Sequence, residues 1–289
     1  MHIGVVFPQV EIGTDPGAIR DYAQAVEAMG YTHILTFDHV LGANPDRPGG
    51  WKGPYTYRHS FHEPFVLFGF LAAATRRVEL VTGILILPQR QTALVAKQAA
   101  AVDVLSGGRL RLGVGVGWNA VEFEALGERF TNRGARIEEQ IAVLRALWAR
   151  DLVTIEGQWH RVTDAGLNPL PPRSTIPIWM GGESEPVVRR AARLADGWMP
   201  HFRPGPEAQA VVDRLHGLIR EAGRDPAAFG IEGRMTLAQV PPEQREAELA
   251  AWRKMQGITD LCVHTVGLGL KTPAEHAQAL ERFKKDLLT

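Results

Sequence analysis

The apolar run HILTF closes on Asp38 and His39. Histidine is the side chain whose ordinary pKa lies nearest neutrality, so His39 could act as a general acid or base, with Asp38 to orient its ring. Successive residues of a strand face opposite sides, so both can enter one pocket only if the strand has ended or bulged there. The alternative is ordinary turn chemistry, with an aspartate capping a loop and a satisfied surface histidine.

Glycine marks the other candidate sites. In VELVTGILILP, Gly83 interrupts an apolar run; in RLRLGVGVGW, Gly113, Gly115 and Gly117 do the same. Glycine inside a strand signals a bulge or the close approach of something large. Two neighbouring strands cleared of side chains suggest a flat ring lying across bare main chain around Thr82, Gly83 and Ile84 and around Gly115, Val116 and Gly117. A buried strand with one packing glycine is the simpler reading of Gly83. The string GVGVG is not a dinucleotide fingerprint, because its spacing is G-x-G-x-G and no acid closes the next strand. Trp118 then either projects at the rim or packs in the core. In IWMGGESEP, Met180, Gly181, Gly182, Glu183 and Ser184 form a strand end, a glycine turn and a helix start. Free amides there suit a phosphate; an ordinary capped turn is the alternative.

Other chemistries find less support. His59, His62, His201 and His264 do not form a recognisable ligand motif, so no metal is expected, although a metal-dependent hydrolase would use such residues. No G-x-S-x-G nucleophile elbow occurs. Cys262 lies in an apolar strand and reads as a small buried hydrophobe.

These groups need a scaffold. Eight apolar runs alternate with segments of helical period: Ile3–Phe7, His33–Phe37, Val78–Leu87, Leu110–Val116, Ile176–Met180, Gly197–Pro200, Phe229–Leu237 and Thr259–His264. Apolar residues such as Ile19, Tyr22, Val26 and Met29 share one helical face. Thr272 before Pro273 reads as an N-cap and first-turn proline of the last helix. Eight β-then-α units predict one closed (β/α)8 TIM barrel across residues 1–289, with a doubly wound open sheet as the other topology. Two segments break the rhythm. The loop 42–60 follows the second strand and should lie at the active-site mouth; the insertion 154–175 precedes the fifth and should sit at the opposite rim or wrap the outside.

Composition narrows the partners. The 289 residues carry 32 Lys plus Arg against 32 Asp plus Glu, giving no net charge. That disfavours nucleic acid and anionic membranes, which need a basic surplus. No apolar run is long enough for a membrane span. A strand beginning at His2 leaves no room for a cleaved signal, and one cysteine excludes an intrachain disulfide, so a reduced cytoplasmic setting is expected.

The Asp-His pair after strand two, EPFVLFGFLAAATRRVELVTGILILPQR, SGGRLRLGVGVGW, EFEALGERFTNRGARIEEQIAVLRALW and PIWMGG together resemble the luciferase-like monooxygenase superfamily, and more narrowly its branch using the deazaflavin coenzyme F420. The likeness extends to about residue 200. It implies a bacterial-luciferase-like barrel with a flavin-type ring at the C-terminal mouth and a non-proline cis peptide at Gly83-Ile84. It also implies phosphate-side contacts at Gly181, Gly182, Glu183 and Ser184. Asp38 and His39 match the acidic-His pair of the deazaflavin enzymes, whereas flavin monooxygenases of the superfamily more often show Glu-His-His. Trp118 replaces a glutamate of the branch's sugar-phosphate dehydrogenase, which argues against that substrate. The implied activity is hydride transfer between F420 and a small organic substrate, with His39 moving the proton and Asp38 assisting or contacting the cofactor. Trp51, Tyr55, Tyr57, Trp118 and Trp198 would wall an apolar substrate space. The alternatives are an FMN-dependent two-component monooxygenase served by a reductase partner, and a flavin-binding barrel without turnover. Barrels of this type resemble homodimers.

Overall fold

The computed structural model describes residues 1–288. Its strands are β1 (His2–Val6), β2 (His33–Thr36), β3 (Glu79–Thr82), β4 (Leu85–Ile86), β5 (Leu110–Gly115), β6 (Val153–Glu156), β7 (Arg161–Ala165), β8 (Ile178–Gly181), β9 (Gly197–Met199), β10 (Gly230–Thr236) and β11 (Asp260–His264). Its helices are α1 (Pro16–Ala28), α2 (Pro64–Ala74), α3 (Thr92–Ser106), α4 (Ala120–Ala125), α5 (Arg133–Ala149), α6 (Glu185–Leu194), α7 (Pro206–Glu221), α8 (Arg245–Lys254) and α9 (Pro273–Leu287).

The parallel strands run β3-β2-β1-β11-β10-β9-β8-β5-β4, and β3 also pairs with β5, so the sheet closes. All eight apolar runs become staves of this barrel, the third being β3 and β4 together. The open-sheet topology is thereby excluded. Local chemistry explains the helix starts. Asp15 accepts the Ala18 amide at 2.7 Å ahead of Pro16, and Thr272 accepts the Glu275 amide at 3.2 Å ahead of Pro273.

The third stave is interrupted. Val81 pairs with Arg111, yet Leu85 pairs with Val114, so four steps on the third stave face three on the fourth. That surplus residue is a bulge, and the Gly83–Ile84 peptide within it is cis. The glycines of the fourth stave serve this break. A methyl on Gly113 would lie 2.0 Å from the Thr82 carbonyl oxygen, and one on Gly115 would lie 1.9 Å from Ile84 Cδ1. Gly181 on β8 likewise makes room for Ile84 Cγ2. The bare backbone of β5 and β8 therefore receives the Ile84 side chain. The expectation of a ring laid on naked main chain is corrected accordingly, because a bulged strand must find space for its displaced side chain.

The barrel's charged layer sits toward the N-terminal ends of its strands, inside the staves. His33 Nε2 meets Glu232 at 2.9 Å, and Arg111 lies 3.5 Å from Glu232 and 3.2 Å from Asp260. Burial alone would raise the Glu232 carboxyl, but His33 and Arg111 outweigh it and hold it low. Cys262 is buried beside this group, and burial pushes its thiol up. Cys262, His33 and Glu232 lie close enough together to suit a metal, but the first is packed as a hydrophobe and the other two face each other at 2.9 Å.

The insertion forms an antiparallel β6-β7 hairpin. His160 joins it to α5 through Glu139 at 2.7 Å and to α3 through Thr92 at 2.6 Å, so it wraps the outside of the helices. No helix among the described residues is long and apolar enough to cross a membrane.

The Gly113 contact yields a test. Gly113→Ala drives a methyl into a backbone oxygen and should lower stability by roughly 1–3 kcal/mol or more. Gly115→Ala meets only the end of a side chain that can rotate, and should cost less. Urea midpoints of the two variants in that order are expected; equal midpoints would contradict this packing account.

Candidate active site

β2 ends at Thr36, and Phe37, Asp38 and His39 turn out of it into the mouth of the barrel. Asp38 is buried and faces sideways. Its Oδ2 accepts the Ile86 amide at 2.9 Å and its Oδ1 accepts Arg90 Nη2 at 2.8 Å, while Arg90 Nη1 reaches Glu63 at 2.9 Å. Burial alone would weaken the Arg90 charge, but the carboxylates of Asp38 and Glu63 raise its pKa instead. Asp38 thus ties the end of β2 to the strand just beyond the bulge. It is committed to structure, not to orienting His39.

The partner of His39 is Glu122 on α4. His39 Nδ1 lies 3.3 Å from Glu122 Oε1, and the same oxygen accepts the amides of Val40 at 2.7 Å and Leu41 at 3.2 Å. A carboxylate oxygen only accepts, so Nδ1 is the donor in this contact and Nε2 is the nitrogen left free of it. Aromatic rings fix the imidazole on its other sides, with Phe61, Tyr55 and Trp118 centroids 4.8, 5.0 and 5.5 Å away.

Below His39 a cavity of about 400 Å³ opens between the staves. Ile84, Ile86, Val116, Val187 and Met199 make its apolar wall, Gly83, Gly117, Gly181 and Gly182 bring backbone to it, and Glu183, Ser184, His201 and Arg234 ring it with polar groups. At Gly182 the chain turns with φ +114, a conformation side chains resist, and enters α6 behind Ser184. Ser184 makes no side-chain cap bond, so its hydroxyl remains available. Of the first-turn amides, Pro186 has none and those of Val187 and Val188 donate to the Ser184 carbonyl at 2.8 and 3.0 Å, which leaves the Glu185 amide. Glu183 accepts the His201 amide, and Glu185 pairs with Arg189 and Arg214, so both acids at this helix start are already occupied.

The sequence profile described as "Luciferase-like monooxygenase" matches residues 1–287. The chain belongs to the luciferase-like monooxygenase family. An uncharacterized protein of Mycobacterium tuberculosis is 35% identical over 226 residues, which is 75% of this chain and 77% of that protein. The FMNH(2)-dependent dimethylsulfone monooxygenase of Pseudomonas fluorescens is 30% identical over 252 residues, 86% of this chain and 65% of that one. The coenzyme F420 dependent tetrahydromethanopterin reductase of Methanopyrus kandleri superposes with TM-score 0.76 over 99% of this chain and 98% of that chain, at 14% identity, a likeness of fold.

Within this member of the family, Asp38, His39, Gly83, Ile84, Val116, Gly117, Trp118, Gly181, Gly182, Glu183 and Ser184 line one cavity. Three expected contacts do not. The Thr82 hydroxyl donates to the Gly113 carbonyl at 2.7 Å, Gly115 lies under Ile84, and Met180 points outward into the core between barrel and helices. The alternation of side chains along β3 and β8 sends Thr82 and Met180 away from the mouth. Of the expected aromatic wall, Tyr55 and Trp118 line the cavity and Trp51 packs on Trp118 at 5.8 Å. Tyr57 is exposed, and Trp198 is buried outside the barrel with its indole N–H on the Gly182 carbonyl at 2.7 Å.

Sequence reasoning passes over Glu122, Arg90 and Arg234. Glu122 stands three residues after the N-cap Asn119, the position of a capping-box glutamate, and so reads as a helix cap. Its commitment to residues 39–41 follows from the barrel alone.

Because Asp38 is fully buried, removing its cation strands a charge. Arg90→Met should destabilise the protein by about 3–5 kcal/mol, measured by chemical denaturation; a loss under about 1 kcal/mol, typical of surface pairs, would show that the pair does not brace the bulge.

Proposed function

We propose that this chain is a flavin- or deazaflavin-dependent oxidoreductase that transfers a hydride between coenzyme F420 and a small organic substrate. The observation that carries this reading is the pairing of an oriented, nearly enclosed histidine with an apolar cavity of ligand size. Ile84, raised on the bulge, offers a flat-sided apolar surface to a ring. The turn through Gly181 and Gly182, with the Ser184 hydroxyl and the Glu185 amide ahead of α6, offers polar groups to its phosphate chain, and these residues fit such a group. When bound, a deazaflavin supplies or accepts the hydride at a ring carbon.

The chain's own residues do the rest. Glu122 holds the proton on His39 Nδ1, so Nε2 takes a proton from a substrate hydroxyl in one direction and returns it in the other. Phe61, Tyr55 and Trp118 restrict the imidazole and keep water from it. Asp38 and Arg90 hold the bulge at its height. The Asp-His pair, in place of Glu-His-His, supports F420.

A second reading, an FMN-dependent monooxygenase working with a reductase, is favoured by the identity with the dimethylsulfone enzyme. A non-catalytic flavin-binding barrel is the third. Assembly as a homodimer is part of the proposal: α2 is apolar around its circumference yet leaves Val66 and Phe70 exposed, which suits a second copy.

Equilibrium titration with F420 and with FMN, each oxidised and reduced, separates the first two readings, and tight binding of F420 alone is expected. His39→Ala should leave cofactor affinity within a few-fold and lower turnover by roughly 10²–10⁴-fold. Glu122→Ala should lower turnover less, and the double variant should be no slower than His39→Ala, because the two act as one unit. Additive losses would separate Glu122 from the proton path.

A further inference from the structure

A second cavity, of about 460 Å³, adjoins the first and shares Phe37, Tyr55, His201 and Arg234 with it. Its strand wall is β10 and β11, where Thr236 pairs with His264. Inward-facing residues of β10 alternate, so Glu232 and Arg234 stand one above the other in the barrel. Glu232 faces His33 at 2.9 Å and Arg111 at 3.5 Å in the layer below, and feels the Arg234 charge from above.

Arg234 is not satisfied. Among the described residues it forms no salt bridge and no side-chain hydrogen bond, and its Nε is buried without a partner. One face of the guanidinium rests on the Phe37 ring at 5.1 Å. The one carboxylate in the cavity lining, Glu248, does not reach it. His201 and His264 flank it, and both are pushed down to about 4, by burial first and by the Arg234 charge next. His201 has one side open to solvent, which softens the effect there; His264 is the more enclosed and the better reporter. Arg203, the other cation of this cavity, is held on the Gln239 carbonyl at 3.0 Å. The Arg234 charge reaches the Glu232 carboxylate below it, but no acid touches its guanidinium. A half-enclosed guanidinium is costly without a counter-charge, and its planar edge matches two oxygens of one oxyanion.

We propose that the substrate carries an oxyanion, a carboxylate or its equivalent, and that Arg234 receives it in the second cavity while the reacting end of the molecule lies under His39 in the first. This rests on the reading of the first cavity as the reaction site. The oxidoreductase so described is an enzyme for small organic acids, with Arg234 setting specificity. His201 and His264 add neutral hydrogen-bonding groups on either side. An oxyanion in the cofactor's own chain is the same chemistry from another source, and the test distinguishes them.

The cofactor-free protein is titrated with benzoate and with inorganic phosphate while the ring resonances of His201 and His264 are followed by NMR. Saturable shifts are expected, and the pKa of both histidines should rise as the anion offsets the Arg234 charge. In Arg234→Gln both pKa values should start higher and the anion response should vanish. Arg234→Lys should keep a response weakened by about tenfold, since a point charge replaces a planar fork. No saturable shift in the wild type, or the same shift in Arg234→Gln, overturns the proposal. So does a loss of tenfold or more in F420 or FMN affinity in Arg234→Gln, which would give the oxyanion to the cofactor. Absence of cofactor binding by the wild-type protein strikes the proposed function instead and leaves the anion response standing.

Discussion

One extra residue on the third stave governs the site. The bulge at Gly83-Ile84 lifts the Ile84 side chain into space that Gly115 and Gly181 leave open, and so gives the mouth of the barrel an apolar wall. The bulge would have an unpaired edge were it not for Asp38, whose carboxylate takes the Ile86 amide and whose charge is met by Arg90. A residue at the end of one strand thereby sets the height of the next. His39 follows Asp38 directly, so the imidazole and the apolar wall are placed by one connection.

Polar groups are graded along the barrel axis. In the lower layer the Arg111 guanidinium stands between the Glu232 and Asp260 carboxylates, with His33 beside Glu232, which lets charge persist in a packed interior. In the upper layer pairing is incomplete. His39 has a partner on one nitrogen, Arg234 has an aromatic face and no acid, and Ser184 caps nothing. At the open end of the staves such groups lie beside the cavities, where a ligand can reach them.

Membership of the luciferase-like monooxygenase family fixes the barrel, while the details of this mouth are the chain's own. Glu122 anchors His39 from the loop after the fourth stave, and Trp118 closes over it from the same loop. The wall made by β10 and β11 lies beyond about residue 200, where the sequence likeness to the F420 branch fades, and it is there that Arg234 stands.

Eight apolar runs, their helical partners, and capping pairs such as Thr272-Pro273 were legible from residue order, because period and capping act over a few residues. The same holds for Asp38 and His39 at a strand end and for the glycine turn at 181–182. Barrel closure decided the rest. Asp38 meets Ile86 across 48 residues and His39 meets Glu122 across 83, and no local pattern encodes which acid finds which base. The role of Gly113 and Gly115 was also hidden, since a missing side chain looks the same whether a ligand or a neighbouring isoleucine fills its place. Strand spacing and register, set by the closed sheet, choose between the two.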